Sequence, residues 1–175
     1  NKDKANYCSI GPGSPSHLAA ELFKSMAGLQ LTHVPYKGSG PAIVDTIGGT
    51  CPVLFDSAVS SGPQARSGKL KVLAIGTSER VPSWPSVPTV AESGVPGFNA
   101  YTWGAMLAPA GTPKAIVAKV NAEMMRILAT PEVREMLAAQ GATPGRGSPE
   151  DLARFANEEI AKWAKVIKDG NITAE

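Results

Sequence analysis

Short apolar runs alternate with amphipathic stretches through the first half of the chain, and this rhythm governs the reading of the fold. Tyr7-Cys8-Ser9-Ile10 has the length and residue types of a strand and leads into Gly11-Pro12-Gly13. From Pro15 the apolar period becomes helical: Leu18, Leu22, Phe23 and Met26 share a face, and Gly28 is the stop signal. The same logic predicts a strand over 31–36, a helix over 41–47 ended by Gly48-Gly49, and a strand over 51–55. A helix over 58–67 and a strand over 70–75 follow. Strands separated by helices at this spacing require crossover connections, so the sheet is expected to be mostly parallel.

The texture changes between 81 and 97, where Pro82, Pro85, Pro88 and Pro96 leave room for no more than a helical turn over 89–93. Residues 101–107 read as a further strand. Beyond them the pattern is helical. Ile116, Val120, Met124 and Leu128 form a stripe over 113–129, with Thr112 as cap and Pro113 in the first turn. A helix over 131–140 ends at Gly141. The last helix opens on Ser148 as N-cap, with Glu150 and Asp151 in its first turn. Its apolar face holds Leu152, Phe155, Ile160, Trp163 and Ile167. The second half therefore has apolar helix faces but little sheet to cover, and it reads as half of a second α/β domain.

Composition narrows the classes. Hydrophobic residues at 43% against 18% charged suit a folded globular chain. The 17 basic and 15 acidic residues leave a net charge of +2, scattered rather than gathered into a stripe, which argues against a nucleic-acid partner. No apolar run approaches the roughly 20 residues that span a bilayer. The charged start Asn1-Lys2-Asp3-Lys4 leads into an apolar stretch too short for a signal sequence, which leaves two readings open: a removed export signal or an internal start. Cys8 and Cys51 are too far apart for a closely spaced zinc knuckle. Two unpaired buried thiols are expected, with a single disulfide as the alternative.

Three strand-to-helix turns carry the candidate chemistry: 11–17, 35–41 and 56–60. In a parallel sheet all lie at strand carboxyl ends, the edge where ligands bind. Gly11 and Gly13 permit close approach of backbone to a ligand, and Ser14 before Pro15 is a natural N-cap. The amides of Ser16 and His17 are expected to point outward at the positive end of the helix dipole, an arrangement suited to a carboxylate or phosphate. Ser39-Gly40-Pro41 repeats the device. Either turn alone reads as a capped helix; two on one edge make the ligand reading an even match for it. Asp56 either braces a loop or accepts from a ligand, His33 is expected to pack, and Lys37 is either solvated or an attraction for anions. Trp103 reads as core. Two enzyme readings are weak. A dinucleotide loop lacks its third glycine and following acid, and Ser14 or Ser16 with His17 and Asp56 lacks the spacing and the elbow of a hydrolase triad.

Longer motifs add to this. YCSIGPGSPSHLAAELF (7–23), HVPYKGSG (33–40), LFD (54–56), GKL (68–70), VPTVAE (87–92), Trp103, LAPAGTP (107–113), PEVR (131–134) and the last helix through Trp163 stand in one order along nearly the whole chain. On these the sequence resembles the Bug family, periplasmic receptors of tripartite tricarboxylate transporters. The resemblance implies two α/β domains closing on a di- or tricarboxylate, an amino acid or an aromatic acid. It implies a periplasmic-binding-protein-like parallel-sheet domain over 1–104. Residues 105–175 would be the C-terminal part of a second α/β domain whose N-terminal half is absent. Carried over by position, Gly13, Ser14, Pro15, Ser16 and His17 form the carboxylate turn, and Tyr36, Lys37, Gly38, Ser39 and Asp56 line the cleft. Pro12 and Pro15 stand where relatives often have small or polar residues, which stiffens the turn and removes a donor. The implied function is capture of a small carboxylate in the periplasm for uptake through membrane permease subunits, without catalysis, cofactor or metal. A receptor presenting its ligand to a sensor, and a hydrolase using Ser16, His17 and Asp56, are the alternatives. The uncovered C-terminal helices are expected to make the chain self-associate.

Overall fold

The computed structural model describes residues 5–173. Its elements in order are β1 (Ala5–Ser9), α1 (Pro15–Ala27), β2 (Leu31–Pro35), α2 (Ser39–Ile47), α3 (Ala58–Arg66), α4 (Lys114–Leu128), α5 (Pro131–Ala139) and α6 (Pro149–Asp169). β1 and β2 pair in parallel, Ala5 opposite Leu31 through Ser9 opposite Pro35, with α1 as the crossover. On its other side β1 meets the segment around Leu54, again in parallel: the Cys8 amide donates to Val53 O at 2.8 Å and the Phe55 amide to Cys8 O at 3.2 Å. β1 is thus the middle of the sheet, and Tyr7, Cys8 and Ser9 are fully buried.

Three predicted strands are not realised. Residues 51–55 make one bridge to β1, at Cys8 and Leu54, instead of a ladder. Residues 70–75 run beside no neighbour until Ile75, whose amide donates to Pro88 O and whose carbonyl receives the Val90 amide, both at 2.9 Å. Leu73 in that stretch is 62% exposed. Residues 101–107 find no ladder partner among the described residues and are exposed throughout. The turn expected over 89–93 is present and closed reciprocally. The Glu92 carboxylate receives the Thr89 amide at 2.7 Å, and Thr89 Oγ1 receives the Glu92 amide at 3.1 Å.

The cysteines also correct the expectation. Cys8 and Cys51 form a disulfide across a sequence separation of 43. Pairing of β1 with the 53–55 segment brings their Cα atoms to 6.2 Å, inside the bridging range. A disulfide suits an oxidising compartment.

Helix packing splits the chain into a covered and an uncovered part. α1 lays Ala19, Leu22, Phe23 and Ala27 on a cluster of Val95, Phe98 and Ala100, which Trp163 of α6 closes from the other side. Met26, assigned to that face from its period, lies outside it at the surface. Gly76 is obligatory beneath this cluster, since a Cβ there would stand 2.1 Å from Ala100 O. α6 starts as expected: Ser148 and Asp151 complete a capping box. α4 differs, because Pro113 is its N-cap and the Thr112 hydroxyl donates to Pro109 O instead of capping. Neither α4 nor α5 buries a residue. Met106, Leu107, Ile116, Val120, Met136 and Ile160 are exposed, Leu107 at 83%.

The disulfide generates a test. Closing a loop of this length restricts the unfolded chain, so Cys8→Ala/Cys51→Ala is expected to lose about 2–4 kcal/mol. Urea unfolding with and without reductant reads it: reductant should destabilise the parent protein by a similar amount and leave the double variant unchanged.

Candidate functional site

Parallel pairing places the carboxyl ends of β1, β2 and the 53–55 segment on one edge, and α1, α2 and α3 all begin there. The three turns are tied together. The Gly38 amide donates to Ile10 O at 3.1 Å, and the Tyr36 amide to Ser9 O at 3.0 Å. The Ser39 hydroxyl donates to Asp56 Oδ1 at 2.9 Å, and the Ser61 hydroxyl to Asp56 Oδ2 at 2.7 Å. Asp56 therefore braces two helix starts, and both its oxygens are engaged. Ser57 caps α3 by accepting the Ser60 amide.

The first turn is held almost entirely by its own side chains. Ser14 is the N-cap of α1 and accepts the His17 amide at 3.3 Å, so His17 does not present an outward donor. Ser16 Oγ reaches back to the Ile10 amide at 2.9 Å, Ser9 Oγ receives the Gly11 amide at 3.2 Å, and His17 Nδ1 receives the Gly13 amide at 3.1 Å. The Ser14 amide donates to Gly11 O. Pro12 and Pro15 have no amide. Ser16 therefore offers the one amide of residues 10–17 without a hydrogen-bond partner among the described residues. Gly11 must stay small, because a Cβ there would meet Tyr36 O at 3.3 Å and its φ is +141°.

The remaining predicted residues sort by the same geometry. Gly38, at φ 103°, is the N-cap of α2, with no side-chain cap; Ser39 is its first helical residue rather than its cap. The Tyr36 hydroxyl donates to Asp45 at 2.7 Å, which raises its pKa. Lys37 is exposed and in no ion pair among the described residues. The His17 ring turns inward, 8% exposed, and stacks on His33 at 3.9 Å. His33 packs as expected and also bonds Ser9 Oγ at 2.6 Å. Beneath the pair, Glu21 receives the Tyr7 hydroxyl at 2.5 Å and the Lys24 ammonium at 2.8 Å. Sequence reading missed Ser9, Glu21 and Ser61 as site supports. Only Ser61, one helical turn behind the Ser57 cap, had a local signal.

Burial lowers the pKa of His33 to about 4, with the neighbouring His17 charge as the next cause. Burial also lowers His17, against the attraction of Glu21. For Glu21, burial pulls upward, but the hydrogen bonds from Lys24 and Tyr7 prevail and its pKa falls. These groups do not make a hydrolase. Ser16 Oγ is bonded to the Ile10 amide and Ser14 Oγ, Asp56 is bonded to serines, and neither side chain is hydrogen-bonded to the His17 ring among the described residues. The Ser9–His33 pair is closed off by the complete burial of Ser9.

Comparison with known proteins is decisive at this point. Residues 1–172 match the family described as tripartite tricarboxylate transporter family receptor. The chain belongs to this family. Curated relatives 37% and 41% identical align with 99% and 90% of it, and the chain spans about half the length of the curated relatives it matches, 52% and 48%. Among solved structures, R. palustris Rpa4515 with adipate is 38% identical with a TM-score of 0.87 over 99% of this chain and 58% of that one. MatC from Rhodopseudomonas palustris with bound malate is 37% identical, TM-score 0.76, over 93% and 56%. The periplasmic binding protein BugD is 33% identical, TM-score 0.80, over 100% and 59%. The fold is that of periplasmic binding proteins of this receptor family. No helix of the described residues is long and apolar enough to cross a membrane.

The histidine pair yields a stability prediction. Between pH 6.5 and about 4 the unfolded chain binds a proton at His33 that the folded chain refuses, so stability is present at neutral pH and falls as pH drops through that window. His33→Gln, which keeps an acceptor for Ser9, should flatten the fall; urea midpoints across the window measure it.

Proposed function

We propose that the protein is a periplasmic receptor that captures a small carboxylate for tripartite tricarboxylate-type uptake and performs no chemical turnover. The observation that carries this is the convergence of three helix N-termini on one sheet edge, where the Asp56 charge is already satisfied by Ser39 and Ser61 and the Ser16 amide is unengaged. Positive helix ends with an open donor favour an anion, and a carboxylate is the anion found in two similar structures. Gly13, Ser14, Pro15, Ser16 and His17 make the principal turn; Tyr36, Lys37, Gly38, Ser39 and Asp56 make the neighbouring wall. Residues 1–104 form the ligand-binding domain and residues 105–175 belong to a second one. The ligand is a di- or tricarboxylate, an amino acid or an aromatic acid, and the permease subunits of the transporter are the membrane partner.

Calorimetry of the full-length protein against a panel of these acids tests the reading. Tight binding of one carboxylate is expected, and Ser16→Trp, which puts a bulky side chain into the turn, should abolish it. Binding confined to neutral sugars, or an unaltered affinity in the Ser16 variant, refutes the assignment.

The exposed C-terminal face bears on the 175-residue chain taken alone. A groove of about 390 Å³ lined by Trp103, Ala156, Ile160, Trp163, Ala164 and Ile167 is almost wholly apolar. Ile116 and Val120 of α4 and Met106 and Leu107 of the 101–107 segment are exposed as well. Each large side chain removed from water contributes roughly 1.5–3 kcal/mol, so a second copy of the chain is the occupant that this face takes. Light scattering at micromolar concentration should report dimers or larger; a clean monomer with protease-resistant C-terminal helices overturns this.

A further inference from the structure

One glycine amide of the turn is held by an imidazole, and the other by a serine that is itself bonded to an imidazole. Gly13 donates directly to His17 Nδ1 at 3.1 Å, and Gly11 donates to Ser9 Oγ at 3.2 Å, which in turn bonds His33 Nε2 at 2.6 Å. The two rings lie stacked, 3.9 Å between centroids with planes 13° apart. We propose that His17 is a positioning residue for the ligand turn: its neutral ring draws the Gly13 amide inward through Nδ1, and protonation of that nitrogen releases the turn.

The chemistry follows from the donor pattern. Accepting from Gly13 requires a bare Nδ1, so the ring proton sits on Nε2, which stands 3.8 Å from Glu21 Oε1. A second proton puts an N–H on Nδ1 facing the N–H of Gly13, and donor meets donor. Gly13 lies between two prolines, at positions 12 and 15, neither of which has an amide, and has φ 66°.

The surroundings set when this happens. Tyr7 of β1, His33 of β2, and Glu21 and Lys24 of α1 face the ring. Across the groove that Glu21 and Lys24 line, Lys165 and Asp169 of α6 pair with each other. Glu21 is the one anion near the ring among the described residues, and it already serves Lys24 and Tyr7. It has little left to stabilise an imidazolium. Burial and Lys24 both lower the pKa of His17, and a charge on His17 holds the stacked His33 neutral. One proton is therefore taken up, by the ring that touches the turn, and the two rings titrate as a coupled pair. Acidification loosens the ligand turn while the rest of the sheet edge, tied by Asp56 and the Ile10–Gly38 bond, stays in place.

The functional consequence rests on the turn being the carboxylate site; the molecular event does not, and the test separates them. In the isotope-labelled protein, NMR follows the Gly13 amide and both histidine rings from neutral pH to about 4. The Gly13 amide should move with the inflection of the His17 ring. In His17→Asn, whose Oδ1 stands where Nδ1 stood and does not titrate, it should keep its neutral-pH position throughout. A Gly13 amide that is flat through the His17 titration, or that moves alike in both proteins, overturns the proposal. Calorimetry with adipate and malate supplies the second readout. Affinity should weaken on acidification several-fold more in the parent than in His17→Asn, the variant accounting for protonation of the ligand itself. Equal pH profiles refute the coupling. Absence of binding to both acids at neutral pH tells against the carboxylate reading, and the Gly13 titration still decides the role of His17.

Discussion

Every functional feature of this molecule depends on β1 being paired in parallel on both sides. Parallel strands send all their carboxyl ends to one edge, and each connection must return along a helix. With β2 on one flank and the 53–55 segment on the other, the three following helices are obliged to begin side by side. The same pairing brings Cys8 against Cys51 and buries Tyr7 where its hydroxyl reaches Glu21 on the crossover helix. Sheet, disulfide and site share one cause.

At the edge so formed, side chains mostly serve to hold backbone. Ser9, Ser14, Ser16 and His17 spend their polar atoms on amides of the first turn, and Asp56 spends its oxygens on serines of the next two. Such a surface is preorganised: its remaining donor, at Ser16, is set by a helix start and needs no reordering when an anion arrives. A binding receptor is what this division of labour suits.

Away from the edge, the chain keeps good local structure without burial. α6 has a complete capping box and packs through Trp163, yet Ile160 on its other face is 67% exposed. α4 and α5 have no side-chain cap and bury no residue, and α4 touches the partly exposed faces of α5 and α6. Two curated relatives are about twice as long as the chain.

The helices were legible in the sequence because their signals are local. Ser14-Pro15, Gly28, Ser148 and the apolar period specify starts, stops and faces without reference to anything distant. The ligand edge was legible for the same reason, since a glycine-rich turn, a cap and a strand end lie within a few residues. Strand pairing was not. An apolar run becomes a strand only if another backbone offers amides and carbonyls in register, and Pro88, with no amide, denied the 70–75 run a ladder beyond Ile75. The disulfide and the stacked histidines were illegible for a deeper reason. Cys8 and Cys51 lie 43 residues apart, and His17 meets His33 across a helix and a strand; neither partner carries any local mark of the other. Local propensity and capping thus settled which segments are helical and where those helices start. Only tertiary pairing decided which cysteine, which imidazole and which amide face one another, because contact across the sheet depends on register and not on sequence neighbourhood.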